Sequence, residues 1–83
     1  MNDDQFDLID ELYFVQDFDY LRETLGWADD HLIGVLQSLV DEGWVKVLKS
    51  PDEELFDKID LKINGTTFMY LATKEGLMKH NMG

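Results

Sequence analysis

Apolar positions in the first half of the chain recur with helical spacing, most clearly in residues 29–45 (DDHLIGVLQSLVDEGWV). Asp29 is a suitable N-cap for a helix here, and Gly43 is suited to the positive φ that often closes one. The aliphatic residues of this segment fall on one arc of a helical wheel. They are Leu32, Val35, Leu36, Leu39 and Val40. The pattern predicts a helix that closes near Gly43, followed by a strand over residues 44–49.

Two shorter segments with an apolar face precede this helix. The first is predicted to run from N-caps among residues 2–4 to about residue 15, and its apolar arc covers roughly half of the helical wheel. Such a wide arc has two explanations: the helix lies between two neighbouring elements, or part of it packs against a second subunit. The second segment is predicted to begin after Asp17 as its N-cap and to end at Gly26.

Local signals in the second half of the chain predict short helices. Residues 50–53 (SPDE) combine a Ser N-cap, a Pro at the first helical position and a Glu three residues after the Ser. This is the spacing of a capping box, and it predicts one or two helical turns over residues 51–56. Thr73 is a suitable N-cap for a last short helix, which we expect to continue to about residue 79.

Residues 58–71 have the pattern of a β-hairpin. Apolar and polar residues alternate before Asn64-Gly65, a dipeptide that readily adopts the two positive φ values of a type I′ turn. A turn at this place would align the apolar residues of the two strands on one face. The predicted pairs are Ile63 with Thr66, Leu61 with Phe68, and Ile59 with Tyr70.

The composition predicts one domain spanning residues 1–83. The chain has no cysteine, so neither a disulfide nor a zinc–thiolate site supports the fold. Its acidic N-terminus is unlike a signal peptide, and no apolar run approaches the roughly 20 residues that a membrane span needs. We therefore expect a cytoplasmic protein without a membrane partner.

The net charge of −11 is distributed unevenly. Residues 1–45 contain 12 Asp and Glu and a single Arg, whereas residues 46–83 contain 6 Asp and Glu and 6 Lys. The whole excess of negative charge therefore belongs to the predicted helical half. Every lysine lies in the second half, which has no net charge.

The order of helix, helix, helix, strand, hairpin and short helix resembles the winged helix-turn-helix domains of bacterial transcription regulators. The likeness is greatest to the multiple-antibiotic-resistance, phenolic-acid-response and arsenic-response repressors. It is carried by Leu21, Leu25, Gly26, Leu32, Leu36, Leu39, Gly43-Trp44-Val45 and Thr73-Lys74-Glu75-Gly76. The resemblance implies an α+β fold with a three-helix core, a small antiparallel sheet as the wing and a short C-terminal helix. It also implies a protein of the transcription-regulator type.

The resemblance further implies that the exposed face of the third helix reads the major groove of DNA. The matching positions here are Asp30, His31, Gly34, Gln37 and Ser38. No Lys or Arg is among them, although these families usually have one. The residues expected to contact phosphates from the wing are Lys46, Lys49, Lys58 and Lys62. Because phosphate neutralisation supplies most DNA affinity, we expect DNA binding without a partner to be weak or absent.

The alternative function is a protein-interaction adaptor that acts through its acidic and aromatic face or as a homodimer. Its expected partner is another protein or a second copy of the chain. The candidate contact residues lie on the predicted first helix: Phe6, Leu8, Leu12 and Phe14. A positive stripe across the third helix and the wing would favour a DNA reader, whereas an apolar patch on the first helix would favour the adaptor.

The sequence contains no signature of catalysis. His31 and His80 are far apart in the chain, and there is neither a Cys nucleophile nor a Gly-rich phosphate loop. The acidic residues beside His31 are adjacent in a helix and so point in different directions, which disfavours a metal site. We predict that the protein is not an enzyme and uses no metal, cofactor or small-molecule ligand.

Overall fold

The computed structural model describes residues 1–82, and within them five α-helices surround a four-stranded sheet. The helices are α1 (Asp3–Asp10), α2 (Phe18–Leu25), α3 (Asp29–Asp41), α4 (Leu61–Asn64) and α5 (Lys74–Met82). The strands are β1 (Gln16–Asp17), β2 (Val45–Ser50), β3 (Glu53–Leu55) and β4 (Met69–Ala72), and a 3-10 helix covers Gly65–Thr67. The strand order is β1-β4-β2-β3 and every pairing is antiparallel. The predicted α+β class is confirmed.

Local sequence determines several helix ends. The carboxylate of Asp17 accepts the N–H of Tyr20 at 2.8 Å and caps α2. Gly26 ends α2 with a φ of 70°, and Gly43 follows α3 with a φ of 79°, as predicted. The hydroxyl of Thr73 accepts the N–H of Gly76 at 3.0 Å at the start of α5. Each of these ends depends on contacts within a few residues.

Two predicted boundaries of the first and third helices are wrong. α1 ends at Asp10, well before residue 15, because the chain then turns toward the sheet, where the carbonyl of Leu12 accepts the N–H of Ala72 at 2.9 Å. The N-cap of α3 is Ala28, which makes no side-chain capping bond. Asp29 is instead the first helical residue, where its charge still complements the positive end of the helix.

α1 lies against both α3 and α5, which accounts for its wide apolar arc. Leu8 and Ile9 are completely buried in the core. The Gln5 side chain donates to the hydroxyl of Ser38 on α3 at 3.1 Å. On another side, the ring of Phe6 stacks on His80 of α5 with a centroid distance of 4.1 Å. Of the two explanations for the arc, contact with two neighbouring elements of the same chain suffices.

Residues 50–56 do not form the predicted helix. Ser50 pairs with Glu53 across a tight turn at Pro51 and Asp52, and β3 continues against β2. The Ser50 hydroxyl donates to the Asp52 carboxylate at 3.0 Å. Proline before an acidic residue suits the second position of a β-turn as well as the first turn of a helix. The strand brings Leu55 against the core, which a short surface helix would not require.

The hairpin predicted around Asn64-Gly65 is also wrong. Residues 61–64 are helical, with Asp60 as the N-cap accepting the N–H of Lys62 at 3.0 Å, and Gly65 has an ordinary φ of −57°. Tyr70 pairs with Val47 of β2. None of the three predicted pairs forms, since Leu61 and Ile63 are in α4 and Ile59 precedes it outside any strand.

Tertiary contacts hold residues 61–67 in this conformation. The N–H of Leu61 donates to Oε1 of Gln37 on α3 at 2.9 Å, and the buried hydroxyl of Tyr70 donates to the carbonyl of Gly65. A Cβ at residue 65 would overlap the end of the Ile33 side chain and lie 3.1 Å from Leu61. Glycine suits this position because of close packing, and not because of a positive φ.

The buried hydroxyl of Tyr70 predicts a loss of stability in alkali. Burial raises the pKa of this phenol well above its usual value, so it stays protonated in the folded chain. In the unfolded chain the phenol ionises near pH 10. The protonated phenol of Tyr70 therefore contributes fully to the stability of the fold below about pH 10, and this contribution is lost as the pH rises further. Between about pH 8 and about pH 11, urea titrations should show that the free energy of unfolding falls less for Tyr70→Phe than for the wild type. Equal declines would contradict this explanation.

Candidate functional site

A surface groove of about 620 Å³ runs between the outer face of α3 and residues 60–66. We call it the α3 groove, and its lining residues are Asp29, Asp30, Ile33, Gly34, Gln37, Ser38, Asp41, Asp60, Lys62 and Thr66. None of these residues is buried, so the groove is open to solvent. It contains four of the five positions predicted to read DNA; the fifth, His31, lies outside it.

Gln37 uses its side-chain amide within the chain. Its Nε2 donates to Oδ1 of Asp41 at 3.0 Å and to the carbonyl of Ile59 at 3.1 Å. Its Oε1 accepts the N–H of Leu61 at 2.9 Å. Both N–H donors and the carbonyl oxygen are therefore engaged within the chain, and the bonds to Ile59 and Leu61 hold residues 59–61 against α3. A bidentate contact between Gln37 and adenine would have to break these bonds.

Ser38 and His31 connect α3 to α1. The hydroxyl of Ser38 donates to the carbonyl of Val35 at 2.7 Å and accepts from Gln5. Nε2 of His31 lies 2.9 Å from Oδ2 of Asp4 on α1. The imidazole also makes an edge contact with Trp27 at a centroid distance of 4.9 Å. Gln37, Ser38 and His31 thus each use their side chains to contact other elements of the protein.

The charge of the α3 groove is mainly negative. Four aspartates line it: Asp29, Asp30, Asp41 and Asp60. Lys62 is the one basic residue in this lining as the structure describes it. Asp29 also lies 3.5 Å from a guanidinium nitrogen of Arg22 on α2. The surface therefore favours cationic over anionic ligands.

The predicted phosphate-binding lysines lie beyond α3. Nζ of Lys46 on β2 is 3.6 Å from Oε1 of Glu54 on β3, so an acid already offsets its charge. Lys49 is exposed near the end of β2. Lys58 and Lys62 line a second depression that adjoins the α3 groove. The positive stripe expected of a DNA reader is not continued on α3, whose sequence has no Lys or Arg.

Two of the four residues predicted to contact a partner belong to the core. Leu8 and Leu12 have no exposed surface, so neither is accessible to another protein. Phe6 is 37% exposed and is partly covered by His80. Phe14 is 77% exposed and lies beyond the end of α1. The wide apolar arc therefore identified core residues together with surface residues.

His80 has a defined position that its place near the chain end did not indicate. The ring is only 8% exposed, and its Nδ1 lies 2.9 Å from the hydroxyl of Tyr13. Its Nε2 is 3.4 Å from Oδ1 of Asp10. With the stacked ring of Phe6, these contacts attach α5 to α1 and to the segment that follows it. The helical spacing of Phe6, Asp10 and Tyr13 could have suggested a common neighbour, but not which one.

The wall of the α3 groove that faces α3 was also not predicted from the sequence. Asp60 and Thr66 belong to the segment that was predicted to form a hairpin. An aspartate such as Asp60 is a local signal for the start of a helix, because its carboxylate can accept the N–H of Lys62 two residues later. Ile63, in the same segment, is 75% exposed.

Residues 1–82 contain no group of three or more His, Cys, Asp or Glu side chains placed to hold a metal ion. In the same part of the chain, no helix has the length and apolar character needed to cross a membrane. No protein-family model, curated protein or solved structure matches this chain. The functional proposal therefore depends on the geometry and charge of the chain's own residues.

Proposed function

We propose that this protein is a winged-helix-like regulatory module that acts by binding another protein and binds DNA weakly or not at all on its own. Support for the winged-helix part comes from element order. α2 and α3 are joined by a short turn after Gly26, and strands and a C-terminal helix follow. This is the order implied by the resemblance to bacterial regulators, with β3 and α4 in the place of a simple wing hairpin.

The observation that carries the proposal is the chemistry of the outer face of α3. In a helix-turn-helix protein the N-terminal residues of the second helix approach base edges, and nearby cations neutralise phosphates. Here the first turn of α3 contains Asp29 and Asp30, and the helix has no Lys or Arg. The amide of Gln37 is already engaged with residues 41, 59 and 61. This face is therefore poorly suited to DNA and better suited to a basic protein surface.

The overall charge supports the same proposal. The chain has a net charge of −11, so duplex DNA is repelled before contact. Salt reduces this repulsion beyond about 8 Å at physiological ionic strength, but it adds no cation to α3. Among the lysines, Lys62 lines the α3 groove and Lys58 lines the depression beside it. Electrostatic complementarity therefore favours a cationic partner.

A fluorescence anisotropy titration with a labelled mixed-sequence duplex of about 20 base pairs, two helical turns, tests the proposal. At about 150 mM salt we expect no saturable binding at protein concentrations up to tens of micromolar. A sub-micromolar dissociation constant with a steep salt dependence would contradict the proposal.

Charge-reversal variants identify the source of any binding that appears only at low salt. Lys58→Glu combined with Lys62→Glu should abolish it if these lysines contact phosphates. The matched control is Lys74→Glu with Lys79→Glu, which makes the same change in net charge on α5. Equal loss in both double variants would indicate a general charge effect and no defined phosphate contact.

A further inference from the structure

We infer that the α3 groove is the docking site for a basic, amphipathic helix of a partner protein. The inference rests on the proposed function and adds the position of the contact and the chemistry of the partner. It is drawn from four features of the groove: its length, its floor, its charge and the internal hydrogen bonding of its polar side chains.

The length of the groove suits a helical ligand. Asp29 and Asp41 are the first and last residues of α3 and both line the groove. At 1.5 Å per residue they are about 18 Å apart along the helix axis. A partner helix lying alongside would present about three turns over this distance. That length accommodates apolar anchors at positions i, i+3 or i+4, and i+7, as in helix-in-groove recognition.

The floor of the groove offers space for an apolar side chain. Ile33 is half-buried and provides apolar surface. At the next position, Gly34 is exposed, and no heavy atom of residues 1–82 outside its own helical turn lies within 4 Å of where a Cβ would be. The missing side chain leaves a notch on the outer face of α3. An aliphatic residue of the partner would fill this notch and gain contact with Ile33.

The charges of the groove specify a basic partner. Four aspartates and one lysine in the lining give an excess of three negative charges, and Arg22 beside Asp29 reduces this excess to two. Asp29 and Asp30 lie at one end of α3 and Asp41 at the other, while Asp60 is on the opposite wall. Lys or Arg residues on both sides of an apolar stripe would be complementary to this distribution. An acidic helix would be repelled by these charges, and a neutral helix would gain no electrostatic attraction from them.

The internal hydrogen bonds reduce the cost of covering the groove. Burying a polar group without a partner is unfavourable. Gln37 and Ser38 are the uncharged polar residues on the α3 wall, and both are hydrogen-bonded within the chain. An apolar stripe could therefore cover this wall without leaving either side chain unsatisfied. A ligand that needs new hydrogen bonds from them would have to displace existing ones.

The probe is a synthetic helical peptide of about 18 residues, five turns, with leucines on one face and lysines on both flanks. The comparison peptide has the same leucines with glutamates in place of the lysines. Isothermal titration should show binding of the lysine peptide and none of the glutamate peptide. In ¹⁵N–¹H spectra, the largest shifts should map to α3 and residues 60–66. Raising the salt concentration should weaken the interaction.

Variants distinguish groove binding from general attraction between a cationic peptide and an acidic protein. Asp30→Lys should weaken binding roughly tenfold or more, because it places like charges together. Gly34→Phe fills the notch and should have a similar effect, while the open space there allows the chain to fold. Asp7→Lys makes the same charge change as Asp30→Lys but lies on α1 outside the groove. It should change affinity only slightly, and an equal loss in Asp7→Lys and Asp30→Lys would overturn the inference.

The remaining outcomes separate the inference from the proposed function. If neither peptide nor duplex DNA binds, the groove assignment fails while the proposed function stands. If peptide shifts map instead to α1 and α5 around Phe6, the groove is not the site. If sedimentation shows a dimer whose interface covers α3, the occupant is a second copy and the inference of a basic helix is wrong. Tight DNA binding with shifts in α3 would overturn both proposals.

Discussion

Replacing Gly76 with alanine should reduce the free energy of unfolding by about 2–3 kcal/mol or more, through overpacking in the interior. Gly76 is buried in the first turns of α5, where an added Cβ would overlap the carbonyl oxygen of Trp44. This oxygen also accepts the N–H of Thr73 at 2.9 Å. Since the obstacle is backbone, neither a rotamer change nor a small side-chain shift relieves it. A urea titration followed by circular dichroism measures the loss.

The matched control for Gly76→Ala is Gly34→Ala, also within a helix. No heavy atom of residues 1–82 outside the local helix lies within 4 Å of its Cβ position. Alanine in a helix is more favourable than glycine by roughly 0.5–1 kcal/mol, so this variant should be more stable than the wild type. An unchanged urea midpoint for Gly76→Ala would show that α5 is not packed against Trp44 in this way.

Replacing Gln37 with methionine should lower the free energy of unfolding by about 1–3 kcal/mol, because it leaves partly buried backbone groups without partners. Methionine keeps the length and helix propensity of the side chain but removes its bonds to Ile59 and Leu61. Residues 59–64 should then separate more readily from α3. Hydrogen exchange at the Leu61 amide should accelerate more than exchange at amides elsewhere in the core. A general loss of stability would not produce this local difference.

Thr66→Ala is the control for Gln37→Met. Thr66 lines the same groove, and its side chain is exposed to solvent. Its removal should leave both the urea midpoint and exchange at Leu61 close to those of the wild type. Unchanged protection of the Leu61 amide in Gln37→Met would contradict the proposed role of Gln37.

Sequence reasoning succeeded where a structural feature depends on neighbouring residues. Asp17 can cap a helix with an N–H only three residues away, and Gly26 can close one by its own φ. Four positions expected on the exposed face of α3 line one groove, because helical spacing places them on the same side of the helix. The same reasoning could not identify which elements pack against α1. The buried residues Leu8 and Leu12 were therefore predicted as partner contacts together with the exposed Phe14.

The errors after β2 come from contacts distant in sequence. Alternation over residues 58–63 and the Asn64-Gly65 dipeptide satisfy the local rules for a hairpin. The structure instead buries Leu61 and leaves Ile63 75% exposed. Gln37 binds Leu61 from 24 positions earlier in the chain, and the side chain of Ile33 on α3 lies against Gly65. Because local sequence does not encode these partners, neither the α4 segment nor the second wall of the groove was predicted.

The most direct test of protein binding over DNA binding is an NMR titration of the ¹⁵N-labelled wild-type chain with mixed-sequence duplex DNA at about 150 mM salt. The acidic residues at the ends of α3 and the internally bonded Gln37 predict that the amide signals of α3 stay unchanged. Adding the lysine peptide to the same sample should then shift them. Saturable shifts of α3, Lys58 and Lys62 with DNA, at sub-micromolar affinity, would contradict the proposed function.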